Sequence, residues 1–159
     1  MQARIRQTCL FAVIALGLVV VLAGTALAQS PGTWKLNLVK SKYNAGTAPK
    51  SSTLKYEAVG AGIKVTVDSV AADGALTHYT YTANYDGKDN PVVGNPNADM
   101  AARTRVNATT TEGVTKKAGK VMTNSTYVVS SDGKTMTITA KGTTATGQTI
   151  DSVQVYEKQ

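Results

Sequence analysis

From residue 34 onward the chain alternates apolar and polar side chains with a period of two. Trp34, Leu36 and Leu38 are separated by Lys35 and Asn37, Leu54, Tyr56 and Ala58 by Lys55 and Glu57, and Ile63, Val65 and Val67 by Lys64 and Thr66. Successive side chains on a β-strand point to opposite faces, so this period makes one face apolar and the other polar, the pattern of a half-buried strand. The period returns in Tyr79, Tyr81, Ala83 and Tyr85, in Val121 to Ser130, in Met136, Ile138 and Ala140, and in Ile150 to Glu157. A helical period is almost absent, which excludes βαβ units. Half-buried strands with no helices to cover them must stack as two sheets or close into a barrel.

Glycine punctuates the alternation, because it takes a positive φ without steric cost. The turn signals are Gly60-Ala61-Gly62, Asp73-Gly74, Asp86-Gly87, Glu112-Gly113, Gly119, Asp132-Gly133 and Gly147. Their spacing fits hairpins joined in sequence. The expected fold is all-β: one antiparallel up-and-down β-barrel over residues 29–159. Two segments break the rhythm. Lys40 to Pro49 reads as a loop or one short helical turn. Asn90 to Asp99, with Pro91, Gly94 and Pro96, reads as a long loop or an edge excursion, since proline cannot donate to a central ladder.

The first 28 residues differ from the rest. Arg4 and Arg6 precede an uncharged run from Leu10 to Leu22, and Ala26-Leu27-Ala28 supplies the two small residues a signal peptidase accepts. Residues 1–28 therefore read as a cleavable signal helix. No stable membrane span remains after cleavage, and the expected destination is the periplasm or the medium. The single cysteine, Cys9, lies in this leader, so the exported domain relies on its core rather than on disulfides. Of the formal net charge of +7, Arg4 and Arg6 carry two. The remaining lysines are scattered, with only Lys116 and Lys117 adjacent, and form no basic stripe interleaved with stacking aromatics. Nucleic acid is not an expected partner.

The chemistry-bearing residues are few. His78 is the only histidine, and with no thiol in the domain neither Cys-His catalysis nor a His-rich zinc site can be assembled. Alternation puts His78 on the face opposite the tyrosine row. Asp68, Asp73, Asp86 and Asp89 sit near turns and read as turn formers. The stretch Asp86 to Asn90 lacks the ligand order of an EF-hand. No catalytic residues, metal or cofactor are expected. Leucine is scarce in the domain, limited to Leu36, Leu38, Leu54 and Leu76, while valine, threonine and tyrosine abound. A barrel lined in this way is either tightly filled or hollow and polar. Two functions follow from these alternatives: a binding site for a small amphipathic or polar-headed molecule, or an interaction module with a filled interior and no ligand. Tyr79, Tyr81 and Tyr85 are candidate lining residues, although tyrosines in line on a strand also pack across it.

Gly32-Thr33-Trp34-Lys35-Leu36 at one end of the domain and Val155-Tyr156-Glu157-Lys158 at the other resemble the first and last strands of the calycins, the lipocalins and fatty-acid-binding proteins. The resemblance implies a closed barrel in which the two strands are neighbours and Trp34 is a structural plug. The avidins share the G-x-W opening and a hairpin like Ala72 to Thr77, but their further tryptophans are absent. The whole chain is also similar to short exported bacterial proteins. In fatty-acid-binding proteins an Arg-x-Tyr pair on the closing strand grips the ligand carboxylate. Here Tyr156 matches the tyrosine, but Gln154 stands at the arginine position, and Lys40 to Pro49 is too short for that family's helical lid. The resemblance thus places Gln154 and Tyr156 in the cavity as uncharged ligand contacts. It implies a neutral polar head group, weak binding of fatty acids, and a gain in carboxylate binding on Gln154→Arg.

Overall fold

The computed structural model describes residues 31–44 and 47–159; the leader expected at 1–28 lies outside them. Ten strands follow one another: β1 (Gly32–Leu36), β2 (Ser51–Val59), β3 (Gly62–Val70), β4 (Leu76–Ala83), β5 (Asn90–Val93), β6 (Met100–Arg105), β7 (Thr110–Lys117), β8 (Lys120–Val129), β9 (Thr135–Thr143) and β10 (Thr149–Lys158). Each pairs antiparallel with its neighbours in sequence, and β1 closes the barrel by pairing with β10 as well as β2. Trp34 is opposite Lys158 on one side and Leu54 on the other. Closure leaves no free sheet edge.

Up-and-down order sorts the connections. The β2–β3, β4–β5, β6–β7 and β8–β9 turns and both ends of the barrel meet at one end; the β1–β2 segment and the β3–β4, β5–β6, β7–β8 and β9–β10 turns meet at the other. The first end is sealed. Trp34, Ile63, Ala83, Val129 and Met136 are buried there, and interiors packed this tightly leave few voids. Gly60, Gly74, Gly87, Gly119, Gly133 and Gly147 all turn with positive φ, as the turn signals required.

Three local expectations are corrected, and two strands stand where none was expected. Leu38 does not extend β1 but stands in a turn, exposed, because the chain bends at Leu38–Lys40 before Lys42 rejoins Val153 of β10. Of Asn90 to Asp99, expected as a long loop or an edge excursion, Asn90–Val93 is a strand and 94–99 the connection that follows it. The strand is short, and Pro91 sits near its start, where a missing N–H is tolerated; two residues pair with β4 and two with β6. Strands β6 and β7 were not legible at all. Glu112-Gly113 is not a turn but the middle of β7, with Gly113 between Arg103 and Ser125. A Cβ at Gly113 would lie 2.9 Å from the Tyr127 ring and 3.2 Å from Arg103 Cδ, so this glycine makes room for two large side chains.

Candidate functional site

Above the sealed end the barrel is hollow. A cavity of about 400 Å³ runs from the middle of the barrel to the loops of the other end, so the interior is not filled. Ser52, Leu54, Tyr56, Val65, Val67, Tyr79, Tyr81, Ile138, Ser152, Gln154 and Tyr156 are all on its wall. Each points inward because the two-residue period, locked by pairing across neighbouring strands, leaves it no other face.

The sequence-derived site residues are distributed as follows. Gln154 and Tyr156 share the inner face of β10 and bond to each other: the Tyr156 hydroxyl is 3.1 Å from Gln154 Oε1 and 3.1 Å from Ser52 Oγ, and Gln154 Nε2 donates to Ser152 Oγ at 3.1 Å. Burial pushes the Tyr156 phenol well above its ordinary value. Tyr79 and Tyr81 also line the cavity. Tyr85 does not. It lies past the end of β4, with φ at 60°, and the Arg105 guanidinium stands 5.0 Å from its ring centroid; the backbone leaves the strand before alternation can carry Tyr85 onto the wall. Trp34 is fully buried in the sealed end, with Lys158 Nζ 5.4 Å from its ring centroid. Its Nε1 is enclosed without a hydrogen-bond partner among the described residues.

The turn aspartates are occupied. Asp73 accepts from Ala75 N, Asp86 from Lys88 N, and Asp89 pairs with Lys116 Nζ at 2.7 Å. His78 is exposed and its Nδ1 is 2.7 Å from Asp68 Oδ1. No group of three or more His, Cys, Asp or Glu side chains able to hold a metal comes together among the described residues.

The residue missed by the sequence reading is Arg103. It lines the cavity from β6 and is only 5% exposed. Its guanidinium lies 3.3 Å from the Tyr127 ring centroid. Nη2 donates to the Tyr81 hydroxyl at 2.6 Å and to the Tyr56 hydroxyl at 3.3 Å, and Nε donates to Tyr81 at 3.2 Å. Among the described residues no carboxylate lies within ion-pair distance of it. The expectation of an uncharged interior is therefore corrected: a cation stands in the cavity wall, supplied by β6 rather than by the closing strand. Burial opposes that charge, but the phenols of Tyr127, Tyr81 and Tyr56 push the guanidinium pKa upward on balance, and arginine stays protonated in any case. Burial likewise raises the pKa of Tyr56, Tyr79 and Tyr81, against the lowering influence of Arg103 on Tyr56 and Tyr81. All three are neutral phenols at physiological pH.

Toward the mouth the wall turns polar again. Tyr43 reaches the cavity from the β1–β2 segment with its hydroxyl enclosed and without a hydrogen-bond partner among the described residues, and burial pushes its pKa up to about 12. Asn97 Oδ1 accepts from Ala145 N at 3.0 Å, tying the β5–β6 turn to the β9–β10 turn across the opening.

The fold is a closed barrel of ten antiparallel strands. No family model and no curated protein sequence matches the chain. Among solved structures it is similar to EF1p2_mFAP2b bound to DFHBI, with a TM-score of 0.53 and 10% identity over 85% of this chain and 99% of that one. It is also similar to the redesigned β-barrel mFAP1 bound to DFHBI (TM-score 0.48, 12% identity, 84% of this chain and 99% of that one). A third is the zebrafish ileal bile acid-binding protein complexed with cholic acid (TM-score 0.44, 10% identity, 81% of this chain and 98% of that one).

Proposed function

We propose that this protein is an exported barrel that carries or sequesters one small amphipathic molecule, with the polar end near the Arg103–tyrosine cluster and the remainder toward the mouth, and that it catalyses no reaction. The observation that carries the reading is the cavity of about 400 Å³, which falls within the range of roughly 300 to 1,000 Å³ of small-molecule sites. Its wall mixes apolar side chains (Leu54, Val65, Val67, Ile138) with convergent polar groups (Arg103, Tyr56, Tyr81, Tyr156, Gln154), the composition such sites share. Export rests on residues 1–28 alone, and amino-terminal sequencing of secreted material tests it: the chain should begin at Gln29, and a start at Met1 removes that part of the reading.

Native mass spectrometry of the mature protein against a panel of amphipathic molecules, with DFHBI included because EF1p2_mFAP2b binds it, tests binding. One ligand per chain is expected, with a matching rise in thermal stability. Failure of every member of the panel to bind or to stabilise the barrel would defeat the proposal.

A further inference from the structure

We infer that the cavity is an oxyanion receptor: its ligand is a compact amphipathic organic anion whose charged oxygens are held by Arg103, Tyr56 and Tyr81. This rests on the ligand-binding reading above and specifies the ligand's head.

Two independent features of the cluster lead there. The first is charge. Arg103 is only 5% exposed and no carboxylate among the described residues lies within ion-pair distance of it, and a buried charge without a counter-charge is costly unless something supplies one. Tyr127 covers one face of the guanidinium, at 3.3 Å, but an aromatic quadrupole only partly replaces an anion. The second is the donor count. Tyr81 and Tyr56 both accept from the guanidinium through their hydroxyl oxygens. A phenol oxygen that accepts from a cation cannot direct its own proton at that cation, so both O–H groups are left to donate elsewhere. Neither donates to another described residue, and Arg103 Nη1 makes no hydrogen bond to one. The cluster thus offers at least three unused N–H and O–H donors on the wall of one cavity and needs acceptors only. An ionised carboxylate, phenolate or sulfonate is an acceptor-only group that also brings the counter-charge; an amide or alcohol head can accept from these donors but supplies no charge.

The position of Arg103 also limits the ligand's size. The body extends from mid-barrel toward the mouth, where Val67, Leu54 and Ile138 give way to Tyr43 and its unpartnered hydroxyl. A volume of about 400 Å³ suits a compact anion better than a long extended chain.

A matched pair of fluorescent probes tests this: anilinonaphthalene sulfonate and phenylnaphthylamine, which share a skeleton and differ by the sulfonate. Wild-type protein should bind the anionic probe at one site per chain, at least about tenfold more tightly than the neutral one, as a charge-assisted hydrogen bond requires. Octanoate should displace it and inorganic sulfate at equal concentration should not. Arg103→Met, which keeps the length of the side chain but not its charge, should abolish the preference for the anionic probe, while Arg103→Lys should keep part of it. If the wild type binds the neutral probe as tightly as the anion, the oxyanion proposal is overturned and the ligand-binding reading stands. If neither probe nor octanoate binds, both fall. The wild-type comparison decides even if Arg103→Met does not fold, and equal displacement by sulfate would overturn the requirement for an apolar body.

Discussion

Replacing Arg103 by methionine should make the unliganded protein more stable. Arg103 is 5% exposed and has no ion-pair partner among the described residues, so the folded state bears the desolvation of a cation, several kcal/mol after relaxation. What the structure returns is modest: about 1 kcal/mol from the contact with Tyr127, and about 3 kcal/mol in all from the charge-assisted bonds to Tyr81 and Tyr56. Methionine fills nearly the same volume, and the two freed phenols still border the open space of the cavity. The difference is about 1–2 kcal/mol in favour of the variant, in line with the neutral-to-stabilising outcome of replacing buried charges by apolar side chains of similar shape. For a domain of this size the melting temperature should rise by roughly 3–8 °C. Differential scanning calorimetry of ligand-free wild type and variant measures it, and an anionic ligand should reverse the order by stabilising the wild type alone. A ligand-free Arg103→Met that melts below wild type would refute the reasoning, because it would mean that Arg103 is already fully compensated by the protein.

Tyr81→Phe removes the acceptor of two Arg103 bonds, 2.6 and 3.2 Å long, and should lower stability by about 1.5–3 kcal/mol, read from urea unfolding, while weakening binding of the anionic probe. Gly113→Ala places a methyl 2.9 Å from the Tyr127 ring and should cost about 1–3 kcal/mol as an overpacked interior does; the same change at the exposed turn glycine Gly119, whose φ is +77° but which has open space around it, should strain the backbone without affecting probe binding. Stability should also depend on alkaline pH. Burial raises the pKa of Tyr56, Tyr79, Tyr81 and Tyr156 above the ordinary 10.0, so the folded state holds these phenolic protons more firmly than the unfolded chain does. Their contribution is complete below pH 10 and is lost as pH rises from there through the folded-state values. The urea midpoint should fall above pH 10, with a shallower slope in Tyr79→Phe.

Much of the fold was legible because alternation and glycine turns are local signals. Trp34 with Leu36, Tyr56 with Leu54, Val65 with Val67 and Ile138 with Met136 each announced an inward face, and each is buried. Strand β6 was not legible for the same physical reason. Its inward position is occupied by Arg103, a residue that alternation assigns to the outside, and Ala101 and Ala102 on either side of the sheet are both buried. Gly113 misled in the same way, reading as a turn where it is a notch. A charged residue flanked by small ones, Ala101-Ala102-Arg103, opposite a mid-strand glycine was the available clue.

Local sequence by itself determined that this chain would be a meander of half-buried antiparallel strands, that Trp34 would be core, and that Gln154 and Tyr156 would share one face of the last strand, because all of these follow from a period of two. What only the tertiary structure decided is which side chains meet across the barrel. Arg103 lies 22 residues from Tyr81 and 47 from Tyr56 in the chain, and no pairing register alone predicts their contact. Closure of β1 on β10 fixes the curvature of the sheet, and that curvature brings the inner faces of β2, β4, β6 and β8 around one guanidinium. The charge of the cavity, and hence the ligand it suits, is a property of the closed barrel rather than of any strand within it.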